Sequence, residues 1–326
     1  MKKILVTGST GFVGKVLVKY LLKKGYDVRA AIHNDIDTLN SDINVEKVNY
    51  DLVSDDNDYN RLLTGIDIVI HLAAIAHQLD INHEEHKELY EKANNLAVKK
   101  LAEAAVEYGV QRFIFISTIK INGENNNYNE SNKISAFMEN DKPNPTDPYA
   151  LSKYRAELAV RNICYESHME YVILRPTIIF GPGIKANFLN LINLINKGFP
   201  LPLASVNNRR SLIYVDNLCH AISTCVSHPN AANSLYLIKD TDCSIVDLIK
   251  TIAHALNKSP VLLPFPLPLL KICGYLTGRK KQIDKLTESL LVDNSLIKDK
   301  IEWMPLISFT EGIEKTIQWY KANNSS

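Results

Sequence analysis

The sequence predicts an α/β protein, a doubly wound parallel sheet covered by helices on both faces, followed by a smaller, irregular C-terminal lobe. Two observations carry this prediction. In the first half of the chain, short apolar runs typical of buried strands alternate with amphipathic helical patterns. After Pro176 the alternation weakens, and proline-rich and glycine-rich stretches with scattered helices follow. A chain of 326 residues, 46% of them hydrophobic, is long enough to bury such a core.

The elements of the first part follow in regular order. Strands are predicted at "KILVTG", "DVRAAI", "VEKVNYDL", "IDIVIHLAA", "RFIFIST" and "EYVILRP", and helices at "GKVLVKYLLKKG", "NNLAVKKLAEAAVEYGV" and the segment from Tyr149. Asn and Asp enrichment between Asn122 and Asp147 marks a surface connection long enough to indicate a functional loop. The predicted first domain covers residues 1–176, joined by about 207–237, and the smaller lobe covers 177–206 and 238–326.

Charge and cysteine content limit the classes of partner and compartment. With 37 Lys plus Arg against 36 Asp plus Glu, the net charge of +1 gives no electrostatic case for nucleic acid. Lys15, Lys19 and three glycines interrupt the apolar N-terminal run, so we interpret it as part of the fold and expect a cytoplasmic protein. The cysteines form no CxxC pair, which suits a reducing compartment. We expect all five to be core-filling thiols: Cys164, Cys219, Cys225, Cys243 and Cys273.

A second apolar stretch, "VLLPFPLPLLKICGYL" from Val261, contains three prolines and is too short to span a bilayer. We predict no membrane span. A loop and short helix packed on the body is the plainer interpretation, and peripheral contact with a membrane surface is the alternative.

Near the start of the chain, residues 7–14 read "TGSTGFVG", where Gly8, Gly11 and Gly14 lie between the first strand and a helix. Glycines at such a turn allow close backbone approach to a pyrophosphate, whose charge is met by N–H groups at the helix N-terminus. The spacing is GxxGxxG rather than GxGxxG, and its position after a strand predicts a dinucleotide site in a Rossmann-type domain.

The adenosine ribose is usually bound by an acid at the end of the second strand. Here that strand ends with "AAIHND", so Ile32 and His33 stand where the acid is expected, and Asp35 comes slightly late. The choice between NAD and NADP therefore stays open at this point. Asp51 and Leu52, after the third strand, are candidates for an adenine contact, and capping of a loop is an equal alternative for Asp51.

"DPYALSKYRAE" contains a second chemical signal. Asp147 suits an N-cap and Pro148 the first helical position, so Tyr149 and Lys153 lie four residues apart on one helix face. An ammonium near the phenol, helped by a cationic nicotinamide, favours the phenolate and lowers the pKa of tyrosine. Such a tyrosine can move a proton while hydride moves to or from the nicotinamide. Without the glycines this pair would be read as a surface contact.

These motifs resemble the extended short-chain dehydrogenase/reductase family, which contains the nucleotide-sugar epimerases and dehydratases. The resemblance covers almost the whole chain, through "TGSTGFVG", "HLAA", "STIKING", "YALSK", "LRPTIIFGPG" and "RRSLIYVDN". It implies that Thr118 pairs with Tyr149 and Lys153 in catalysis and that Ser117 lies beside the cofactor. It further implies that the cofactor contacts include Thr10, Phe12, Val13, Leu72, Ala73, Ala74, Asn94, Pro176 and Ile178.

The same resemblance assigns substrate contacts to the second part. Arg210 matches the arginine that clamps the diphosphate of a nucleotide sugar, and a guanidinium fork suits phosphate oxygens. Asn187 matches a diphosphate or nucleoside contact, and Leu201 and Leu203 lie in the strand whose backbone contacts the base. A second phosphate arginine is absent from the matching "KQIDKLTESL", and the candidate substitutes are Lys285 in this stretch and Arg279 just before it.

Three histidines are weaker candidates for a substrate or metal contact. His77 follows "HLAAIA" at the expected mouth of the site and is a candidate substrate contact, with a satisfied polar residue at a strand end as the equal alternative. His83 and His86 have helical spacing without a third ligand nearby, which favours a solvated helix face over a metal site. We therefore expect no metal.

The absence of an acidic pair narrows the set of possible reactions. Sugar 4,6-dehydratases of the family have an Asp-Glu pair after the hydroxyl residue, and this chain has Ile119 and Lys120 there. Two reactions at C4 of a UDP-sugar stay open. One is 4-epimerisation of a UDP-N-acetylhexosamine or UDP-hexose in bacterial surface polysaccharide (O-antigen) synthesis, which we favour. The other is NAD(P)H-dependent 4-reduction of a UDP-4-keto-6-deoxy-N-acetylhexosamine.

Other functions carry less weight. A cofactor-sensing regulator of this fold would commonly lack the tyrosine or the lysine, and both are present. A dehydrogenase of another small alcohol would not need Arg210. The resemblance also implies a homodimer through a four-helix interface made by the Tyr149 helix and the helix before it.

Overall fold

The computed structural model of the protein describes residues 2–33, 45–76, 83–126 and 134–324. Its main feature is a parallel sheet of seven strands in the order β3-β2-β1-β4-β5-β6-β9. The predicted doubly wound sheet is therefore confirmed. The strands of this sheet are β1 (Lys3–Thr7), β2 (Asp27–Ile32), β3 (Glu46–Asn49), β4 (Ile68–His71), β5 (Arg112–Ile116), β6 (Glu170–Pro176) and β9 (Ser234–Ile238).

A smaller sheet lies in the second part of the chain. Its three strands run in the order β10-β8-β7, with β7 parallel and β10 antiparallel to β8. Their bounds are β7 (Ile178–Phe180), β8 (Arg210–Tyr214) and β10 (Thr241–Cys243).

Helices surround both sheets. The described chain also has a π-helical turn at Glu91–Leu96 and short 3-10 turns at Ile119–Ile121 and Pro229–Ala231. The α-helices are α1 (Phe12–Lys23), α2 (Tyr59–Leu63), α3 (His83–Tyr90), α4 (Ala97–Glu107), α5 (Pro148–Tyr165), α6 (Ala186–Asn196), α7 (Val215–Ser227), α8 (Ile245–Ala255), α9 (Leu267–Leu276), α10 (Lys280–Thr287), α11 (Ser295–Ile301) and α12 (Phe309–Asn324). Within the described ranges, every helix is too short or too polar to cross a membrane.

The large sheet separates two apolar layers because successive strand residues point to opposite faces. In β1, Ile4 and Val6 join the layer that contains α1 and α7, whereas Leu5 joins the layer that contains α4 and α5. Both faces are covered, and the strand interiors are apolar on both sides. This burial explains the continuous apolar runs in the sequence.

The strand order has a switch point between β1 and β4, from which the chain winds outward in both directions. The loops after β1 and β4 therefore leave the sheet in opposite directions and open a crevice at the carboxyl ends of the strands. The glycine turn after β1 and the helix that carries Tyr149 both meet this edge.

Some expectations need correction or extension. Four cysteines are buried as expected, but Cys273 is exposed on α9, so the core prediction was wrong for that residue. The weakly patterned second part contains β9, which extends the large sheet beside β6. The division into residues 1–176 with 207–237 and residues 177–206 with 238–326 stays a prediction.

Candidate active site

The turn between β1 and α1 is built from glycines in close contact. Gly8 has φ +67°, and a Cβ there would lie 2.7 Å from the backbone nitrogen of Ala73. A Cβ on Gly14 would lie 2.1 Å from the carbonyl oxygen of Gly8. The first turn of α1 thus packs directly on the preceding loop. Thr10 and Gly11 form the turn, and Phe12 and Val13 begin α1, as the motif predicts.

Polar groups tie the ends of β1 and β4 together. The hydroxyl of Thr7 and Nδ1 of His71 lie 2.9 Å apart, and the backbone N–H of Ala73 donates to the same hydroxyl at 3.3 Å. Burial lowers the pKa of His71 to about 3, so its ring is neutral. Leu72, Ala73 and Ala74 are held beside Gly8 by these contacts.

The predicted adenosine end lies at the ends of β2 and β3. His33 Nε2 lies 3.5 Å from the Asp51 carboxylate, and the His33 side chain is 59% exposed. Asp51 also accepts from the Val53 N–H at 2.9 Å, and Asn57 bonds to the Asp51 backbone. Asp51 therefore does cap the loop that contains Leu52. An adenine contact by Asp51 or Leu52 stays a prediction, and Asp35 lies outside the described residues.

Asn94 joins the loop after β4 to α5. This buried amide accepts from the Ile75 N–H and donates to the Ile75 carbonyl oxygen, both at 2.9 Å. It also donates to the hydroxyl of Ser152 at 3.3 Å, and Ser152 donates to the carbonyl oxygen of Tyr149 at 2.8 Å. The π-helical turn at Glu91–Leu96 carries Asn94 into this position. The loop that follows "HLAA" is thereby fixed relative to Tyr149.

Helix α5 begins as the sequence predicts. The Asp147 carboxylate accepts from the Ala150 N–H at 2.7 Å, and Pro148 occupies the first turn. Tyr149 lies edge-on to Tyr90, with ring centroids 6.0 Å apart. Burial raises the pKa of Tyr149, and Asp147 and Tyr90 raise it further. The protein's own groups thus keep the phenol protonated, contrary to the expected lowering, which depends on added positive charge.

Lys153 is buried one turn along the same helix face. Its ammonium donates to the carbonyl oxygen of Ile116 at 2.7 Å and lies 4.0 Å from the ring centroid of Phe115. Only 1% of the residue is exposed. Burial lowers the pKa of Lys153 to about 7, although the Glu157 carboxylate acts in the opposite direction. The amine therefore titrates near neutrality at the end of β5.

Ser117 and Thr118 follow β5 at the same edge of the sheet. The buried Ser117 hydroxyl has no hydrogen-bond partner among the described residues, and its N–H donates to the Leu174 carbonyl oxygen. Thr118 is extended and accepts from the Lys120 N–H at 3.3 Å. Lys120 donates to Asp147 at 2.6 Å, and its ammonium lies 6.0 Å from the Tyr149 ring centroid. The loop of Thr118 is thereby held against the first turn of α5.

Arg210 begins β8 and turns toward the segment after α10. Its Nη1 donates to the carbonyl oxygen of Lys285 at 2.8 Å, and its buried Nε has no hydrogen-bond partner in the described part of the chain. Burial lowers the pKa of Arg210, against the opposing charges of Glu124 and Glu288. Of the two predicted substitutes for a second arginine, Lys285 is near enough to Asp147 to lower its pKa, and Arg279 is exposed.

The other predicted ligand contacts lie at the end of β6 and in the segment that follows it. Pro176 is buried at the end of β6, and Ile178 is exposed on β7. Asn187 is exposed at the start of α6. Leu201 and Leu203 are buried, and their N–H groups donate to the carbonyl oxygens of Val261 and Leu201. The contacts of these five residues with a ligand stay predictions.

Only some of the histidine predictions fall on residues that the structure describes. His77 lies outside the described residues. His86 stacks on Tyr90, with ring centroids 6.1 Å apart. Among described residues, no group of three His, Cys, Asp or Glu side chains is arranged to hold a metal ion.

Comparison with known proteins decides the family. The model of the NAD dependent epimerase/dehydratase family matches residues 4–238. The chain belongs to this family. The UDP-glucose 4-epimerase of Vibrio cholerae is 40% identical over 333 aligned residues, which cover 99% of this chain and 97% of the relative. The resemblance to the extended short-chain dehydrogenase/reductases is thus confirmed.

More distant proteins match over nearly the whole chain. The N-acetyl-alpha-D-glucosaminyl-diphospho-ditrans,octacis-undecaprenol 4-epimerase of Escherichia coli O157:H7 is 24% identical, covering 97% of this chain and 94% of its own. The UDP-glucuronic acid 4-epimerase from Bacillus cereus, solved in complex with NAD, superposes with a TM-score of 0.78 at 24% identity. It covers 98% of this chain and 99% of its own. At this identity the structural match shows the fold alone.

The residues at the crevice of this epimerase/dehydratase family member fit a dinucleotide. A Cβ at Gly8 would meet the backbone of Ala73, and a Cβ at Gly14 would meet the backbone of Gly8, so the close turn typical of a pyrophosphate site requires glycine at both positions. The unsatisfied hydroxyl of Ser117 and the buried amine of Lys153 are polar groups that a nicotinamide ribose can satisfy. Both lie at the carboxyl end of β5, where the family's cofactor is expected.

Sequence reasoning missed several residues that support the site. Glu157 on α5 and Arg175 on β6 form a buried ion pair, and Arg175 also donates to Asn122 at 2.8 Å. Thr7 and Ser152 orient the loop after β4 and the first turn of α5. Charged residues inside "AELAV" and "ILRP" are the only sequence signal for the ion pair, because each interrupts an otherwise apolar pattern.

Proposed function

We propose that this protein is an NAD-dependent 4-epimerase of a UDP-sugar, with a UDP-N-acetylhexosamine as the preferred substrate and a UDP-hexose as the alternative. The supporting observation is the set of Thr118, Tyr149 and Lys153 around one crevice edge, with no acidic pair after Thr118. Ile119 and Lys120 stand there instead, and the Lys120 ammonium is occupied by Asp147. A 4,6-dehydratase needs a further acid and base at that point.

Tyr149 is the proposed proton carrier. Bound NAD⁺ would supply a hydride acceptor at sugar C4 and a positive charge beside the phenol. That charge favours the phenolate, which burial and Asp147 disfavour in the protein alone. Tyr149 Oη would then take the proton of the 4-hydroxyl group as hydride leaves C4. After the 4-keto sugar has rotated and hydride has returned to the other face of C4, Tyr149 would give the proton back to the same oxygen.

Lys153 and Thr118 have proposed supporting roles. An ammonium at Lys153 stabilises a neighbouring phenolate, and its pKa near 7 allows it to gain or lose a proton at the pH of the reaction. Thr118 offers a hydroxyl that can donate to the sugar C4 oxygen as charge develops there. The contact between Lys120 and Asp147 keeps the Thr118 loop and the Tyr149 turn in one arrangement.

Recognition of a UDP-sugar is supported by Arg210 and by the Vibrio cholerae relative. The buried Nε of Arg210 lacks a partner in the described chain, so one edge of the guanidinium can donate to a diphosphate. The 40% identical relative is a UDP-glucose 4-epimerase. The more distant Escherichia coli relative is a 4-epimerase of an N-acetylglucosaminyl group linked through a diphosphate to undecaprenol, and its sugar supports the N-acetylhexosamine preference.

A 4-ketoreductase is the second candidate. The end of β2 carries the exposed His33 rather than an acid, and a cationic or neutral residue there tolerates the 2′-phosphate of NADPH. A reductase that takes up NADPH would release the oxidised dinucleotide after each turnover. An epimerase regenerates its own cofactor in the bound state.

The first experiment is proton NMR of the purified protein with UDP-N-acetylglucosamine and no added cofactor. We expect growth of the anomeric signal of UDP-N-acetylgalactosamine, because an epimerase that retains NAD needs no external oxidant. UDP-glucose is run in parallel. No new anomeric signal from either sugar, together with NADPH consumption on a 4-keto sugar, would replace the epimerase by the reductase.

The proposed setting is the bacterial cytoplasm, in surface polysaccharide synthesis, with the protein as a homodimer. All five cysteines are free thiols, as in a reducing compartment. On α5, Leu158 is 40% exposed and Tyr165 is 91% exposed, which supports a helix face available for pairing. Sedimentation at several protein concentrations tests the dimer, and a mass of one chain throughout would contradict it.

A further inference from the structure

Helix α9 presents an apolar face to solvent. Leu269 is 49% exposed, Ile272 53% and Leu276 76%. At 3.6 residues per turn these positions lie on one side of the helix, and Tyr275, 74% exposed, flanks them. We call Leu269, Ile272, Tyr275 and Leu276 the α9 face. Scattered single apolar residues on a surface are ordinary, but a contiguous helix face of this kind indicates a contact site.

The opposite side of α9 holds the helix on the body. Leu270 and Gly274 are its buried residues. A Cβ on Gly274 would lie 2.7 Å from Cγ1 of Ile283, so α9 and α10 are closely packed there. An ordinary surface helix turns its polar side outward. Here both sides are apolar, one against α10 and one toward solvent.

The segment that carries the α9 face is rich in basic residues. Residues 257–283 contain five lysines and arginines and no Asp or Glu, although the whole chain has a net charge of only +1. Arg279 and Lys280 are exposed directly after α9, and Lys271 lies on α9 itself, 3.5 Å from Glu288. An apolar helix face followed directly by the exposed Arg279 and Lys280 matches a surface that is apolar inside and anionic outside.

We infer that the α9 face docks the protein on an anionic phospholipid bilayer. The helix lies in the plane of the membrane surface, with Leu269, Ile272 and Leu276 among the upper acyl chains. Arg279 and Lys280 contact the phosphate groups, and Tyr275 lies at headgroup level. This inference goes beyond the proposed epimerase activity and does not depend on it.

A second copy of the chain fits this surface less well. In a symmetric dimer through the α9 face, the same patch faces itself across a two-fold axis. The basic segment of one chain would therefore lie against the basic segment of the other. Like charges at an interface oppose association. A bilayer with acidic lipids offers the apolar interior and the opposite charge together.

The α9 face also has a fixed relation to the candidate substrate site. Helix α10 packs on α9 through Gly274 and Ile283, and the carbonyl oxygen of Lys285 at its end accepts from Arg210. Docking through α9 therefore sets the Arg210 side of the crevice near the membrane surface.

The test is co-sedimentation of the full chain with phosphatidylcholine vesicles that contain about 30% phosphatidylglycerol. We expect binding to these vesicles, weaker binding to pure phosphatidylcholine, and release as salt rises. The double variant Ile272→Glu/Leu276→Glu loses binding at least about tenfold, because two large side chains leave the apolar phase. Arg279→Glu/Lys280→Glu loses the preference for anionic lipid.

Matched control variants distinguish vesicle binding through the α9 face from non-specific binding. Leu306, 65% exposed, is the control for the apolar substitutions as Leu306→Glu. Lys19→Glu/Lys23→Glu on the exposed side of α1 is the control for charge. Both controls are expected to bind as the unchanged protein does. Equal losses in the controls, or no binding to anionic vesicles, overturn the inference.

Cys273 gives a readout in a chain whose binding residues are intact. It is exposed on α9 while the other four cysteines are buried, so an environment-sensitive fluorophore can be attached there selectively. We expect a blue shift on anionic vesicles and quenching by lipids with a spin label in the acyl chain. An unchanged emission spectrum overturns bilayer insertion. A dimer in solution that Ile272→Glu/Leu276→Glu dissociates would instead assign the α9 face to self-association.

Discussion

The Glu157 carboxylate accepts both arms of the Arg175 guanidinium, from Nε at 2.9 Å and from Nη2 at 2.5 Å. Both side chains are at most 3% exposed. The third guanidinium nitrogen donates to Asn122, in the loop that contains Thr118. Glu157 lies one turn after Lys153 on α5. This ion pair therefore joins three parts of the site, namely α5, β6 and the loop after β5.

We expect Glu157→Gln to lower the free energy of unfolding by about 3–5 kcal/mol, because it leaves the buried Arg175 without a counter-charge. Urea denaturation measures the loss. Glu311→Gln, which breaks the exposed pair of Glu311 and Lys315, is the control and should cost at most about 1 kcal/mol. Similar losses in both variants would show that the buried pair has no special weight.

Tyr149→Phe tests the proposed proton carrier. The phenyl ring keeps the edge contact with Tyr90 but has no proton to give, so we expect turnover to fall by about 10²–10⁴-fold with dinucleotide affinity unchanged. Turnover is followed by NMR and binding by calorimetry. Tyr154→Phe, on the same helix, should keep full activity. Turnover retained in Tyr149→Phe would remove the assigned role.

Lys153 should make stability depend on pH. Its pKa of about 7 is below the ordinary 10.5, so between these values the unfolded chain binds a proton that the folded chain does not. The free energy of unfolding then rises with pH in this window, by up to about 1.4 kcal/mol per pH unit from this group. Below pH 7 both states are protonated and the contribution is constant.

The measurement is a comparison with Lys153→Met, which keeps the length of the side chain and cannot ionise. Urea titrations of both proteins from about pH 6.5 to 10, a range that covers most of the window, give a difference from which the contributions of other groups cancel. We expect the unchanged protein to gain stability relative to the variant as pH rises. A difference independent of pH would mean that Lys153 has an ordinary pKa.

The large sheet could be predicted because its strands are buried on both faces and read as unbroken apolar runs. The start of helix α5 was predictable to the residue, since Asp147 and Pro148 are local start signals. The strand β9 was not recognised as the seventh strand, because "SLYLI" carries no local sign of its partner β6, 58 or more residues earlier in the chain. Pairing partners are set by tertiary packing rather than by propensity.

In the site, too, the features with local sequence signals were predictable and those set by tertiary packing were not. The glycine turn and the Tyr149–Lys153 pair follow from local spacing, and the structure has both as expected. The direction of the Tyr149 pKa did not follow, because burial and Asp147 raise it and the Lys153 ammonium donates to the Ile116 carbonyl oxygen. Likewise, the outward apolar side of α9 is visible only once α10 is known to cover its other side.

Gly14→Ala tests the glycine turn. The new Cβ would lie 2.1 Å from the carbonyl oxygen of Gly8, a backbone atom that cannot move without opening the turn. We expect a loss of at least about 1–3 kcal/mol in stability and at least tenfold weaker dinucleotide binding. Gly11→Ala is the control, since its Cβ would lie 3.2 Å from the same oxygen at an ordinary φ of −75°. Calorimetry with NAD⁺ should find the larger loss in Gly14→Ala, and equal losses would contradict the packing argument.

Arg210→Ala tests the proposed diphosphate contact. A charge-assisted hydrogen bond contributes about 1.5–3 kcal/mol, so we expect the affinity for UDP to fall by about 10–150-fold. The neighbouring Arg209 is exposed, and Arg209→Ala should change the affinity less than about twofold. Calorimetric titration with UDP compares the two.

Arg210 also holds the segment after α10 through the Lys285 carbonyl oxygen, so a loss of affinity has two physical sources. Arg210→Lys separates them. A lysine keeps the charge that attracts the diphosphate but lacks the planar fork that bonds to the backbone and to phosphate together. Intermediate UDP affinity with an unchanged thermal midpoint supports a direct phosphate contact. Full affinity in Arg210→Ala would remove the nucleotide-sugar role of this residue, whatever the family membership of the chain.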